Sequence, residues 1–287
     1  MMPTVAIVGA GRVGRGLGRR LRELGWRIGA VVSRSEAKAR AAVRAIGGGQ
    51  PHAGLTRQVV AADVILITTP DAAVQKVAQE LARSSGREIR GKVVLHTSGA
   101  LDRRALAPLE RGGAVTGSLH PLQTFSGREV PELEGTFMAI EGAPGALRQA
   151  RRIARSLGGI PVRLDGPSKP AYHAAGALVA GHGLALVEAA TRILMSLGFT
   201  RRHATRALLP LMRQMLDNFE RLGPRQAWTG PLSRGDYSTI AAHSSALRRF
   251  PAEYRRAYAA LSRLGVALLS SEPEKARVRL ARALARR

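Results

Sequence analysis

Thr4-Val-Ala-Ile-Val8 runs directly into Gly9-Ala10-Gly11-Arg12-Val13-Gly14, and the reading of that stretch decides the fold. A short apolar run with β-branched residues predicts a strand. The glycines then follow at G-x-G-x-x-G spacing, and Val13, Leu17, Leu21 and Leu24 continue at helical spacing until Gly25 closes the helix. Glycine spacing alone is weak evidence. Strand before, helix after and a second strand at the expected distance make it stronger. Gly9 permits the tight turn, Gly11 lets the backbone approach a pyrophosphate, and Gly14 permits close helix–strand contact. The helix N-terminus offers free N–H groups and the positive end of its dipole to an anion.

The same alternation continues outward. Arg27–Val32 is a second strand, followed by a helix over Glu36–Ile46. Further strands are expected at Asp63–Ile67, Lys92–Leu95 and Ala114–Leu119, with a helix from about Asp71 to Ala82. Apolar strands without strict alternation, separated by helices, imply a doubly wound parallel sheet covered on both faces. The breaker cluster Gly166-Pro167-Ser168-Lys169-Pro170 ends this pattern. Helical periodicity then covers Ala171–Leu197, Arg201–Leu222, Tyr237–Arg249, Ala252–Leu264 and Glu274–Arg286. The expected organisation is an α/β domain over residues 1–165 and an all-helical domain over 166–287.

Of 287 residues, 45 are Lys or Arg and 20 Asp or Glu, a formal charge of +25. Only five of the basic residues are lysine, and the arginines are scattered along the whole length. Aromatic residues are 4%, too few to interleave a stacking surface for nucleic acid. A solvated basic surface is the expectation, with a field that attracts anionic small molecules. The absence of cysteine excludes a disulfide framework and a thiolate nucleophile or metal site. No basic leader precedes an apolar core at the N-terminus, and the weakly polar run Ala174–Val187 is short and interrupted by His182. A cytoplasmic protein without a membrane partner is expected. The histidines lack metal-ligand spacing, and no G-x-S-x-G elbow or G-x-x-x-x-G-K loop occurs.

The end of the second strand discriminates between cofactors. An NAD site places an acid there for the ribose 2′-hydroxyl, whereas this chain has Ser33-Arg34-Ser35. A guanidinium flanked by hydroxyls suits a 2′-phosphate, so NADP(H) is expected. Ser33 or Ser35 can equally serve as a helix cap. Arg12 and Val13 belong to the same expected cofactor set as Gly9, Gly11 and Gly14. Thr68, Thr69 and Pro70 leave a strand at the ligand-binding edge and are expected to line the cofactor; a structural strand-to-helix turn fits them as well. Thr97 and Ser98, in His96-Thr97-Ser98-Gly99-Ala100, join the cofactor set from the next loop.

Hydride transfer to C=O or C=N needs a group that protonates or polarises the heteroatom. His120 and Ser98 follow strands at the same edge, and Lys169, Tyr172 and His173 open the helical region. His120, His173, Ser98 and Lys169 are therefore the candidate catalytic residues, with His120 or His173 as proton donor and Ser98 orienting it. A loop histidine held by backbone, or a packed domain junction, are the structural alternatives. In Trp228–Asp236, Arg234 and Asp236 fit a salt bridge capping a helix at least as well as a substrate contact.

The order of these motifs, with Gly117-Ser-Leu-His-Pro-Leu-Gln-Thr-Phe125, Tyr172-His-Ala-Ala175 and Thr229-Gly-Pro-Leu-Ser-Arg-Gly-Asp236, resembles that of a bacterial family. In it a Rossmann-like domain is joined to DUF2520, a helical domain of unknown function. The resemblance spans nearly the whole chain. It is similar in turn to the wider group of 6-phosphogluconate and β-hydroxyacid dehydrogenases, prephenate dehydrogenases, pyrroline-5-carboxylate reductase and deazaflavin-dependent NADP reductases. The resemblance implies NADP(H) binding by the first domain and a homodimer built through the helical domains. Related enzymes carry a Lys or His on the first long helix of the second domain, where Lys169 and His173 lie. Gly181-His182 stand where the family commonly shows Ser-Asn. The expected function is an NADP(H)-dependent oxidoreductase acting on a small carbonyl, hydroxy-acid or imine compound. The alternative is a non-catalytic NADP(H)-binding sensor.

Overall fold

The computed structural model describes residues 3–285, so the expected helix end at Arg286 lies outside the described residues. Two compact units divide the chain, Met1–Gly181 and His182–Arg287. The segment 166–181 thus lies with the first unit, because its opening helix packs a lysine side chain against the sheet.

That unit holds an eight-stranded sheet: β1 (Thr4–Val8), β2 (Arg27–Ser33), β3 (Gln50–Ala53), β4 (Val64–Ile67), β5 (Val93–His96), β6 (Val115–Pro121), β7 (Phe137–Gly142) and β8 (Ile160–Arg163). Their spatial order is β3-β2-β1-β4-β5-β6-β7-β8. Neighbours from β3 to β6 are parallel, β7 runs antiparallel to β6, and β8 parallels β7. The helices are α1 (Arg12–Glu23), α2 (Glu36–Ile46), α3 (Arg57–Val60), α4 (Asp71–Ser85), α5 (Ala107–Arg111), α6 (Pro144–Ser156) and α7 (Lys169–Ala177). The doubly wound α/β architecture is as expected, except that the sheet is only mostly parallel and has three further strands.

Successive strand residues point to opposite faces, and both faces are apolar. Val5, Ile7, Val64 and Leu66 enter one core with Leu17 and Leu21 of α1 and Ile153 of α6. Ala6, Val8, Ile65 and Ile67 enter the other with Val74 and Leu81 of α4 and Leu109 of α5. The order reverses between β1 and β4, and a cleft opens at the carboxyl ends of the strands at such a switch point.

The second unit contains α8 (Gly183–Ser196), α9 (Arg201–Leu222), α10 (Pro224–Ala227), α11 (Tyr237–Ala246), α12 (Ala252–Leu269) and α13 (Pro273–Ala285). A small core of Ile240, Val266, Leu280 and Ala283 joins α11, α12 and α13. From α7 through a π-turn at Leu178–His182 into α8, the chain is helical over Lys169–Ser196. That helix is 28 residues long with a mean hydropathy of 1.4 over its most apolar window. It is therefore long and apolar enough to cross a membrane, contrary to the expectation drawn from Ala174–Val187. Its first residue, however, is buried on the sheet of the first unit, with Lys169 only 1% exposed.

Candidate functional site

The glycine loop is shaped by contacts that no side chain would tolerate. Gly9 has φ of +102°, and a Cβ there would lie 2.7 Å from the Thr69 nitrogen. At Gly14 a Cβ would stand 2.5 Å from both the Gly9 carbonyl oxygen and Thr68 Oγ1. The Thr68 hydroxyl donates to the Gly9 carbonyl at 2.5 Å, tying the end of β4 to the loop after β1. Gly11 is the opposite case: a Cβ would meet nothing within 4 Å, because the residue faces open space. Gly11 is also the N-cap of α1 and supplies no side-chain cap, so the first-turn N–H groups face outward as an anion site requires.

A cavity of about 740 Å³ opens on this loop. Gly9, Gly11, Ser33, Arg34, Thr68, Thr69 and Pro70 line it, together with Arg15, Lys38 and Lys76, which the sequence reading missed. Its size is that of a cofactor site. Among the described residues the buried Thr69 hydroxyl has no hydrogen-bond partner, leaving a polar atom that a bound group would satisfy. The lining suits an anionic dinucleotide: the start of α1 after Gly11 offers N–H groups without a side-chain cap, and Arg34 and Lys38 offer positive charge. Arg12, Val13, Gly14, Ser35, Thr97 and Ser98 are not among the lining residues. Ser35 instead caps α2, its hydroxyl accepting the Lys38 N–H at 3.4 Å.

Two strands along the same edge, at the ends of β5 and β6, lies a second cluster. Lys169, at the start of α7, donates from Nζ to the Ser98 carbonyl at 3.1 Å and to Ser118 Oγ at 2.7 Å. Ser118 is fully buried on β6, directly beside His96 of β5. His120, two residues further along β6, has Nδ1 3.3 Å from the Tyr172 hydroxyl. It also meets His173 edge to face at 5.4 Å. Lys169, Tyr172 and His173 are brought together by helical spacing (i, i+3, i+4). Gly99 passes so close to His120 and His173 that no Cβ would fit there. Ser98 Oγ accepts the N–H groups of Ala100 and Leu101, so its hydroxyl shapes the loop and its carbonyl faces the lysine.

Burial lowers the Lys169 pKa from 10.5 to about 8, opposed by the charges of Glu141, Asp102 and Asp71. Lys169 thus remains a cation at neutral pH. His120 is pushed down to about 4, first by burial and then by His173 and Lys169, so it is neutral there. Burial raises Glu141, whose Oε2 accepts the Arg103 N–H at 2.8 Å. The Tyr172 phenol is likewise raised by burial. The cluster therefore combines one buried cation, two serines and imidazoles adjoining the lysine.

All four candidate catalytic residues meet in this cluster. Ser118 and His96 join them as partners whose role no sequence motif signals, because it depends on the pairing of β5 with β6. In the second unit, Arg234 and Asp236 form an ion pair at 3.1 Å, and Asp236 stands at the N-cap of α11 without a side-chain cap bond.

Residues 2–121 match a family described as Rossmann-like domain, and residues 136–264 match a domain of unknown function, DUF2520. A search of curated proteins gives no match. Among solved structures, a Bacteroides fragilis protein described provisionally as an NADP oxidoreductase is similar with a TM-score of 0.75 and 22% identity, over 91% of this chain and 97% of that one. A reductive aminase from Aspergillus terreus, in complex with NADPH and ethyl-5-oxohexanoate, gives 0.69 and 18% over 93% and 94%. An imine reductase from a Pseudomonas species gives 0.68 and 20% over 96% and 100%. At these identities the likeness is one of fold.

Proposed function

We propose that this chain, which joins a Rossmann-like domain to a DUF2520 domain, is an NADP(H)-dependent oxidoreductase acting on a small carbonyl compound. The observation that carries the reading is the buried Lys169 ammonium, held by Ser98 and Ser118 at the strand edge that also carries the glycine-loop cavity. The names of similar structures, an NADP oxidoreductase and an NADPH-bound reductive aminase among them, support a nicotinamide cofactor.

When bound, NADPH supplies the hydride. Gly9, Gly11 and the first turn of α1 would hold its pyrophosphate, while Arg34 and Lys38 would bind the 2′-phosphate with charge-assisted bonds. Lys169 donates a proton to the substrate oxygen. It is charged at neutral pH and fixed by two acceptors, whereas His120, with a pKa of about 4, stays neutral and orients the substrate with Tyr172 and His173. The proton-donor role expected of His120 or His173 thus moves to Lys169 in this reading.

A carbonyl is favoured over an iminium. A protonated imine would bring a second positive charge beside Lys169, and like charges 4 Å apart cost about 4 kcal/mol at an effective dielectric constant of 20. The reading extends to a homodimer, in which a second copy covers the exposed apolar face of α9 formed by Leu211, Met215, Phe219 and Leu222.

The test is NADPH oxidation with a panel of aldehydes, 2-oxo acids, 3-oxo acids and cyclic imines. A carbonyl compound should be turned over, and Lys169→Met should lower its kcat by about 100-fold or more while NADPH affinity stays within a few-fold. Turnover confined to imines, or full activity in Lys169→Met, would contradict the reading.

A further inference from the structure

We infer that His96 is a positioning residue, a neutral strut that fixes the loop after β5 so that the Ser98 carbonyl holds the Lys169 ammonium in place. The inference rests on the proposed role of Lys169 as proton donor and adds a residue to which neither the sequence motifs nor that role assigns a function.

The imidazole is 0% exposed at the end of β5. One ring nitrogen, Nδ1, accepts the Ser98 N–H at 3.2 Å. The other, Nε2, lies 3.1 Å from the Asp102 carbonyl oxygen, to which it can only donate. Both bonds require one species, the neutral Nε2–H tautomer. A single ring therefore clamps the loop at its second residue and at its far end. Between these points the Ser98 hydroxyl binds the N–H groups of Ala100 and Leu101. With the Ser98 nitrogen fixed by the ring and its hydroxyl fixed by two amides, its carbonyl is left directed at Lys169 Nζ.

The charges around the ring agree with a neutral state at neutral pH. Burial and the Lys169 cation push His96 down to about 4, against weaker opposition from the Asp102 carbonyl and the carboxylates of Asp71 and Asp102. Glu141, Asp102 and Asp71 act on Lys169 in the opposite sense, keeping it charged. A histidine that stays neutral beside the lysine at neutral pH adds no competing charge. Phenylalanine could fill the space but would leave the Ser98 N–H and the Asp102 carbonyl unbonded. Glutamine offers an oxygen acceptor and an N–H donor on one carbon, as the imidazole does on Cε1, and is the variant that preserves both bonds.

The test needs neither substrate nor cofactor, because the chain has only five lysines and seven histidines. With lysine labelled at the ε-carbon, NMR should show one resonance titrating near pH 8, assigned to Lys169 by its loss in Lys169→Met. In His96→Leu the midpoint should fall by about one to two pH units, since an acceptor that stabilises the charged amine is lost. His96→Gln should leave it within about half a pH unit of wild type. A midpoint unmoved in His96→Leu overturns the inference while leaving the donor reading intact. A wild-type lysine titrating near 10.5 overturns both. Should His96→Leu fail to fold, nitrogen NMR of the wild-type histidines decides. The His96 ring must be the neutral Nε2–H tautomer from pH 5 to pH 9, and an Nδ1–H tautomer, or protonation within that range, overturns the inference.

Discussion

Lys169 is costly to the fold at the pH where it is useful. Its pKa falls from 10.5 in an ordinary environment to about 8 in the folded protein, so between those values the unfolded chain binds more protons. Wild-type stability therefore rises as pH increases through that window, and below pH 8 the full penalty of about 3 kcal/mol applies. Lys169→Met removes the buried charge. Its stability relative to wild type, measured by urea unfolding, should fall by about 3 kcal/mol between pH 7 and pH 10.5. A pH-independent difference would show that Lys169 is not a buried cation. The residue types of this cluster could be read from the sequence, since Lys169, His173, Ser98 and His120 all stand beside strand ends or at a helix start. Their bonds could not: Ser98 offers the lysine its carbonyl while its hydroxyl accepts the Ala100 and Leu101 N–H groups, and no spacing rule records that.

The glycine loop shows the same limit at the scale of an element. Strand, turn and helix were legible because each carries a local signal: β-branched residues, glycines, and leucines at helical spacing. The two edge strands were not, because Gln50–Ala53 and Ile160–Arg163 are short, largely exposed and contain Pro51 and Pro161, which suit an edge but weaken the strand signal. The strand β7 had a readable apolar signal in Phe137–Ile140, yet its antiparallel direction depends on the long loop after β6. Within the glycine loop, structural and ligand-facing positions separate by experiment. Gly14→Ala should destabilise the apo protein by about 1–3 kcal/mol, because its Cβ collides with the Gly9 carbonyl and Thr68. Gly11→Ala should cost under about 1 kcal/mol, since its Cβ meets no protein atom, yet should weaken NADPH binding at least tenfold. Thermal unfolding and calorimetric titration of both variants check the pair; equal stability losses, or intact binding in Gly11→Ala, would count against the assignment.

At the scale of the molecule, the exposed apolar side chains concentrate after residue 177. Leu178, Val179, Leu184, Leu211, Phe219 and Leu268 are each more than half exposed, an unusual density for a surface facing water. The proposed homodimer covers part of this area. Sedimentation should give about twice the chain mass of 30.5 kDa, and Phe219→Glu should shift the protein toward monomer. A wild-type monomer would leave the apolar face of α9 without the proposed partner. The basic composition has a narrower reading than its size suggests: Arg34 and Lys38 line the cofactor cleft, whereas Arg19, Arg40 and Arg192 pair with acids on their own helices. The claim on which the rest depends is that this cleft takes NADP(H). Unfolding of the wild type and Arg34→Asp with NADPH, with NADH and without ligand tests it most directly. At a hundredfold excess over its dissociation constant, NADPH should add about 2.7 kcal/mol to the wild type, and Arg34→Asp should lose most of that while NADH binding changes little. No stabilisation by NADPH, or an equal loss for both nucleotides in Arg34→Asp, would contradict the account.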